Sequence, residues 1–93
     1  MPQPPDLNAV EQAAAVIEPL IHHTPVIQSH SLNDMLSCQL YFKCENFQRT
    51  GSFKLRGASN AIADVVRQGD ASGVITHSSG NHAAALAYAA RHY

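Results

Sequence analysis

Apolar residues recur every three to four positions in three segments of the chain, and this spacing predicts helices. The first helix is expected near residues 9–18, with Asn8 as its cap and Pro19 ending it, because proline cannot donate to the helical ladder. The second is expected over residues 54–67, and the third, which is rich in alanine, over residues 82–91.

Shorter stretches follow a two-residue period, which is typical of strands. Residues 39–45 alternate and predict a half-buried strand centred on residues 41–44. Residues 26–27 and 74–76 are two further short strand candidates, the second of them buried, and residues 32–36 are a candidate for a short helix. The switch of period from 3.6 to 2 and back predicts an α/β chain.

Length and composition narrow the class of protein. The sequence has 93 residues, 45% of them hydrophobic and 14% charged, with a formal net charge of -1. These values predict a small globular domain with a thin core, and they exclude the strong basic field of a protein that binds nucleic acid or a membrane surface. Cys38 and Cys44 are too few for a disulfide framework, so we expect both to be reduced and the protein to be cytoplasmic. We expect neither a signal peptide nor a membrane span.

Lys54 is the first candidate for chemistry. It lies between Phe53 and Leu55, behind a Gly-Ser turn and at the expected start of the second helix. If its neighbours turn into the core, burial disfavours the ammonium form, and a neutral amine is the nucleophile that forms an imine. The alternative is a lysine that extends from the helix end and keeps its charge in water.

A second candidate site follows about two dozen residues later. The loop Ser78-Ser79-Gly80-Asn81-His82 joins the expected strand at residues 74–76 to the third helix. A strand, a small polar loop and a helix together direct backbone N–H groups at an anion. The five-residue separation of His77 and His82 does not match two ligands on one helix face, so no zinc site is expected.

Ser52-Phe53-Lys54-Leu55-Arg56-Gly57-Ala58, taken with Ser78-Ser79-Gly80-Asn81-His82, resembles the pyridoxal-phosphate enzymes of the serine/threonine dehydratase and serine racemase group. The resemblance extends from about residue 24 to residue 89. It implies the α/β, tryptophan-synthase-β-like fold (fold type II), with residues 1–70 starting the large domain and residues 71–93 starting the small one. Members of this family are several times longer, so we expect the first part of an enzyme, with apolar surface left exposed.

The resemblance also implies roles for individual residues. Lys54 would hold pyridoxal 5'-phosphate covalently and then act as the base on the substrate, with Phe53 beside the cofactor. Asn81 would donate a hydrogen bond to the phenolic oxygen of the cofactor. The segment Ser78, Ser79, Gly80, Asn81 and His82 would surround the substrate carboxylate, and Ser79 would carry a proton on the opposite face in a racemase. Alternatives that depend on packing alone are a core position for Phe53 and a helix-cap role for Asn81.

Leu55 matches the dehydratase and racemase pattern, whereas threonine synthases and cysteine synthases have an acidic residue after the lysine. The expected activity is therefore elimination of water from serine or threonine, giving a 2-oxo acid and ammonia, with serine racemisation as a variant. The expected partners are a small amino acid and, for the full-length protein, a second copy in a homodimer. Three alternatives are a non-catalytic chain, another enzyme of the fold such as threonine synthase, and a small anion-binding module.

Overall fold

The computed structural model describes residues 2–69 and 72–93. The elements, in chain order, are α1 (Leu7–Ile17), β1 (Val26–Ile27), α2 (His30–Leu36), β2 (Phe42–Lys43), a 3₁₀ turn (Glu45–Phe47), α3 (Lys54–Arg67) and α4 (Asn81–His92). The chain is thus a mixture of helices with one small sheet, as the change of period predicted. Within the described residues, no helix is both long and apolar enough to cross a bilayer.

The first helix begins one residue after Asp6, and this differs from the expected cap at Asn8. The backbone of Asp6 is extended, and its side chain accepts a hydrogen bond of 2.8 Å from the amide of Ala9. Asn8 therefore lies inside the first turn, where its side chain cannot cap. Aspartate and asparagine are equally good caps, so composition alone could not choose between the two positions. The predicted end of this helix is confirmed, because Glu18 follows its last residue, Ile17.

The sheet is smaller than the alternating pattern predicted. Strands β1 and β2 pair antiparallel, with Val26 opposite Lys43 and Ile27 opposite Phe42. The ladder is only two residues long, because β1 has only two residues that can pair with the alternating segment at residues 39–45. The strand predicted at residues 74–76 is wrong for this chain: those residues are irregular, and Ile75 is 96% exposed. No neighbouring strand pairs with them in the described part of the chain, and a strand is not stable without one.

A thin core joins three helices. Helix α3 packs against both α1 and α4, and the contact with α4 is the more extensive. The buried cluster combines aliphatic side chains of α1, the segment after it and α3 with alanines of α4; its members are Ile17, Ile21, Leu55, Ala58, Ile62, Ala85 and Ala89. Alanines at the contact let the axes of two helices approach closely.

Two positions on α3 are completely buried. Leu55 and Ser59 are both 0% exposed and lie one turn apart on the same face. The Ser59 hydroxyl has no hydrogen-bond partner among the described residues. An unpaired hydroxyl in a core costs free energy, so Ser59 offsets part of the stability that the burial of Leu55 provides.

Much apolar surface remains exposed, as predicted. The large exposed side chains include Leu7, Val10, Ile27, Met35, Leu36, Tyr41, Phe47 and Ile75. The predicted change of domain near residue 70 involves residues 70 and 71, which lie outside the described residues, and it stays a prediction. Gly69, which follows the end of α3 by two residues, has a φ of +76°, in the left-handed region that favours glycine.

Candidate active site

Lys54 is the first residue of α3, as predicted, but its surroundings differ from the prediction. Leu55 is buried on the core side, whereas Lys54 is exposed and Phe53 is 63% exposed. The Lys54 ammonium lies 5.5 Å from the centre of the Phe53 ring. The alternative of a core position for Phe53 is therefore wrong for this chain, because the helix turns Leu55 and not Phe53 inward.

The second predicted site lies at the start of α4. Ser78 is half-buried, and its hydroxyl accepts hydrogen bonds from the amides of Gly80 and Ala83, each at 3.3 Å. Gly80 occupies the cap position and Asn81 is the first helical residue, so the cap role for Asn81 is wrong. A serine two residues before the cap position thus bonds the amide of the cap residue and one amide of the first helical turn, and among the described residues the Asn81 side chain makes no hydrogen bond.

The start of α4 presents donors to a ligand. Within the described residues, the backbone amides of Asn81 and His82 make no hydrogen bond, as expected for the first turn of a helix. Ser79, Gly80 and Asn81 are exposed and His82 is half-buried. Unpaired amides at the positive end of a helix are suited to a carboxylate or a phosphate.

The packing of α3 on α4 brings Lys54 and one residue of the second candidate site, His82, to one cleft, whereas Ser78, Ser79, Gly80 and Asn81 are not among the residues that line it. An open cavity of about 310 Å³ is lined by Phe53, Lys54, Gly57, Ala58, Ala61, His82 and Leu86. Lys54 stands at the α3 side of this cleft and His82 at the α4 side. The cleft therefore joins a solvent-accessible amine to the start of α4, two features that the sequence pattern could place only in order along the chain.

A polar cluster behind Lys54 was not singled out by the sequence. The Glu45 carboxylate accepts hydrogen bonds from Nε of Arg56, from a terminal nitrogen of Arg56 at 3.2 Å, from the Thr24 hydroxyl at 2.6 Å and from the Gln48 amide at 3.5 Å. Mainly through the hydrogen bond from Arg56, with further contributions from Thr24 and Gln48, the pKa of Glu45 falls from its ordinary 4.5 to about 2.

Only the charges of the residues could have indicated this cluster. Arg56 stands in the first turn of α3, where a cation is unfavourable. An acidic side chain that compensates its charge is therefore expected nearby. The sequence does not say which acid, because Glu45 is eleven residues away across a loop. In the described part of the chain, no three His, Cys, Asp or Glu side chains come together as a metal ion needs.

Comparison with known proteins identifies the class. The chain belongs to the family of pyridoxal-phosphate dependent enzymes, whose sequence pattern matches residues 17–93. It has the N-terminal portion of the tryptophan-synthase-β-like fold of these enzymes, fold type II, as the resemblance implied.

Within this family the chain is similar to racemases and dehydratases of amino acids. It is 50% identical over 86 residues to the serine racemase of Oryza sativa subsp. indica, covering 92% of this chain and 25% of that protein. It is 54% identical over 74 residues to the beta-hydroxyaspartate dehydratase of Paracoccus denitrificans, covering 80% of this chain and 24% of that protein. The structure of maize serine racemase matches with a TM-score of 0.82 and 50% identity, covering 92% of this chain and 27% of that one. The chain thus spans about a quarter of the length of these relatives.

Proposed function

We propose that this chain supplies the reactive lysine and the carboxylate-binding loop of a pyridoxal-phosphate dependent dehydratase that also racemises serine. The observation that carries the proposal is the shared cleft, with Lys54 on one side and the start of α4 at His82 on the other. The serine racemases and the hydroxyaspartate dehydratase among its relatives support a 3-hydroxy amino acid as substrate, with serine and threonine as the simplest.

The residues present fit pyridoxal phosphate. An exposed primary amine beside an aromatic face suits a planar aldehyde cofactor. When bound, the cofactor supplies an electron sink for the charge left on the substrate Cα. Lys54 and Phe53 would hold it, with Asn81 as the hydrogen-bond donor to its phenolic oxygen.

The remaining chemistry belongs to the side chains. The N–H groups at the start of α4 and the Ser78–His82 loop bind the substrate carboxylate, which fixes the orientation of the Cα–H bond. The amine of Lys54, acting as the base, takes the proton from Cα on its own side. In elimination, the hydroxyl group then leaves from Cβ with a proton, and the product hydrolyses to a 2-oxo acid and ammonia. In racemisation, Ser79 returns a proton to the opposite face of Cα.

A chimera provides the test. These 93 residues replace the matching quarter of the rice serine racemase, and the chimera is then measured for the visible absorbance of lysine-bound pyridoxal phosphate and for turnover of serine and threonine. We expect Lys54→Ala to abolish both the absorbance band and turnover, because alanine has no amine. The matched control is Lys43→Arg, which keeps a cation near the Thr24 carbonyl, 2.7 Å from the Lys43 amine, and should keep the band.

The outcomes separate the alternatives. Loss of the band in Lys43→Arg together with its survival in Lys54→Ala would move the attachment to Lys43. A folded chimera that binds no pyridoxal phosphate would leave an anion-binding or non-catalytic role for the chain. Turnover with phosphorylated homoserine but not with serine would favour a threonine synthase.

A further inference from the structure

The polar cluster around Glu45 ties three separate segments of the chain together. Besides its bond to Glu45, the Gln48 side chain accepts a hydrogen bond of 2.8 Å from the His22 amide and donates one of 3.0 Å to the His22 carbonyl. Gln48 is only 4% exposed. Lys43 donates to the carbonyl of Thr24, so the segment after α1 is held against residues 43–48 by side chains as well as by the short sheet.

The polar cluster around Glu45 is bonded to α3 at the first turn of the helix. Arg56 is the α3 residue that reaches Glu45, and it lies two positions after Lys54. Side chains of the pair are largely shielded, with 13% of Glu45 and 31% of Arg56 exposed, so water weakens the interaction less than at an open surface. Between the two basic residues, Leu55 enters the core.

The start of α3 needs this support. Its first turn contains Lys54 and Arg56 but no acidic residue. The cap residue Phe53 makes no side-chain bond to the helix, and the Ser52 hydroxyl accepts one long hydrogen bond of 3.4 Å from the Lys54 amide. Two cations at the positive end of a helix destabilise that end. Glu45 supplies from outside the negative charge that the helix itself lacks. The first turn is therefore held on two sides, by Leu55 in the core and by Arg56 on Glu45, and Lys54 is left facing the cleft.

We propose that Glu45 is a positioning residue for Lys54: by holding Arg56, its carboxylate fixes the first turn of α3 and with it the place of the Lys54 amine in the cleft. The inference rests on the proposed function in that Lys54 is taken as the reacting amine. A displacement of about 1 Å of a reacting group can reduce turnover on the order of a hundredfold, so a support outside the cleft has a measurable effect on catalysis.

The first experiment needs neither cofactor nor activity. Hydrogen exchange is measured on the 93-residue chain for the amides of residues 57–59, which follow the first turn and bond back to the start of α3. Glu45→Gln keeps the shape of the side chain and removes its charge, and it should speed exchange of these amides about tenfold or more, because a charge-assisted hydrogen bond is lost. The matched control is Asp64→Asn, which removes the acid paired with Arg67 at the other end of the same helix and should leave these amides unchanged.

The second experiment uses the rice chimera with pyridoxal phosphate. Glu45→Gln should lower kcat per cofactor-loaded site by about 10- to 100-fold, with KM changed less than about threefold, since the carboxylate-binding loop on α4 is untouched. Adding Arg56→Gln to Glu45→Gln should lower kcat no further, because Glu45 acts through Arg56. Asp64→Asn should stay within about twofold of the unsubstituted chimera.

Each result decides something. Unchanged exchange at residues 57–59 in Glu45→Gln overturns the positioning role whatever the chimera does. Unchanged kcat per loaded site, with only a lower melting temperature, overturns it in favour of a purely structural salt bridge. An unsubstituted chimera without a Lys54-dependent absorbance band refutes the proposed function instead, while faster exchange in Glu45→Gln would still support the hold of Glu45 on the first turn of α3.

Discussion

Leu55 and Ser59 are equally buried and lie one turn apart on α3, yet replacing each by alanine should change the free energy of unfolding in opposite directions. Leu55→Ala removes three carbon atoms from the centre of the cluster and leaves a cavity, which typically costs about 2–5 kcal/mol. Ser59→Ala removes a hydroxyl that has no partner in the described residues, and it leaves almost no cavity. We expect Ser59→Ala to stabilise the chain by about 1 kcal/mol or more, because the desolvation penalty disappears and alanine favours a helix.

Urea unfolding followed by circular dichroism measures both changes. A 93-residue chain typically has an unfolding free energy of about 5–14 kcal/mol, and the large exposed apolar surface places this one toward the lower end. Leu55→Ala can therefore remove most of the stability, so Ile62→Val, which should cost about 0.5–1.5 kcal/mol, gives a graded measurement in the same cluster.

Asn60→Ala is the matched control for Ser59→Ala. Asn60 is exposed on the same helix, and its helix propensity is close to that of serine. The gain in Ser59→Ala beyond the gain in Asn60→Ala is the contribution of the buried hydroxyl. A destabilised Ser59→Ala would refute the reasoning, and it would mean that the hydroxyl is bonded in solution, most simply to the Leu55 carbonyl one turn earlier.

The carboxylate of Glu45 should make stability depend on pH: its pKa is lowered to about 2 in the folded chain, so its contribution is present above the ordinary value of 4.5 and is lost as the pH falls from there toward 2. After allowance for screening, Glu45→Gln should remove about 2 kcal/mol of this dependence, measured as a shallower fall of the urea midpoint over that range, and an unchanged slope would contradict the pairing with Arg56. Ser79→Ala in the rice chimera should lower serine racemisation by about 10²–10⁴-fold and largely keep elimination from L-serine, because one proton carrier remains. Equal losses of L-serine and D-serine turnover in that variant would limit Ser79 to shaping the carboxylate site.

The helices were predictable because their signals are local. The expected bounds at residues 54–67 and 82–91 agree with α3 and α4 to within one residue at each end. The period and the length of the apolar pattern are enough to place such a helix along the chain, although they do not identify its capping residues. The strand at residues 74–76 failed for the opposite reason: a strand depends on a partner, and the local sequence does not say whether a partner lies beside it.

The assignment of Lys54 and residues 78–82 to an active site stays a prediction. The structure places Lys54 and His82 at one cleft, which the lysine motif and the serine-rich loop could give only in order along the chain. The expectation of a lysine among buried flanks was wrong at Phe53, because a side chain's exposure depends on what packs over it. The link from Glu45 to Arg56 joins residues across a loop, and no periodic pattern reports it.

The alanines of α4 have a consequence for how the cleft can change. Ala85 and Ala89 are fully buried against α3, so their methyl groups set the separation of the two helices and therefore the width of the cleft between Lys54 and His82. A valine at either position would add methyl carbons between α4 and α3, and the distance between the two helices would increase by about the thickness of a methyl group. The width of the cleft at Lys54 is thus set by interior residues of α4 that do not line the cleft themselves.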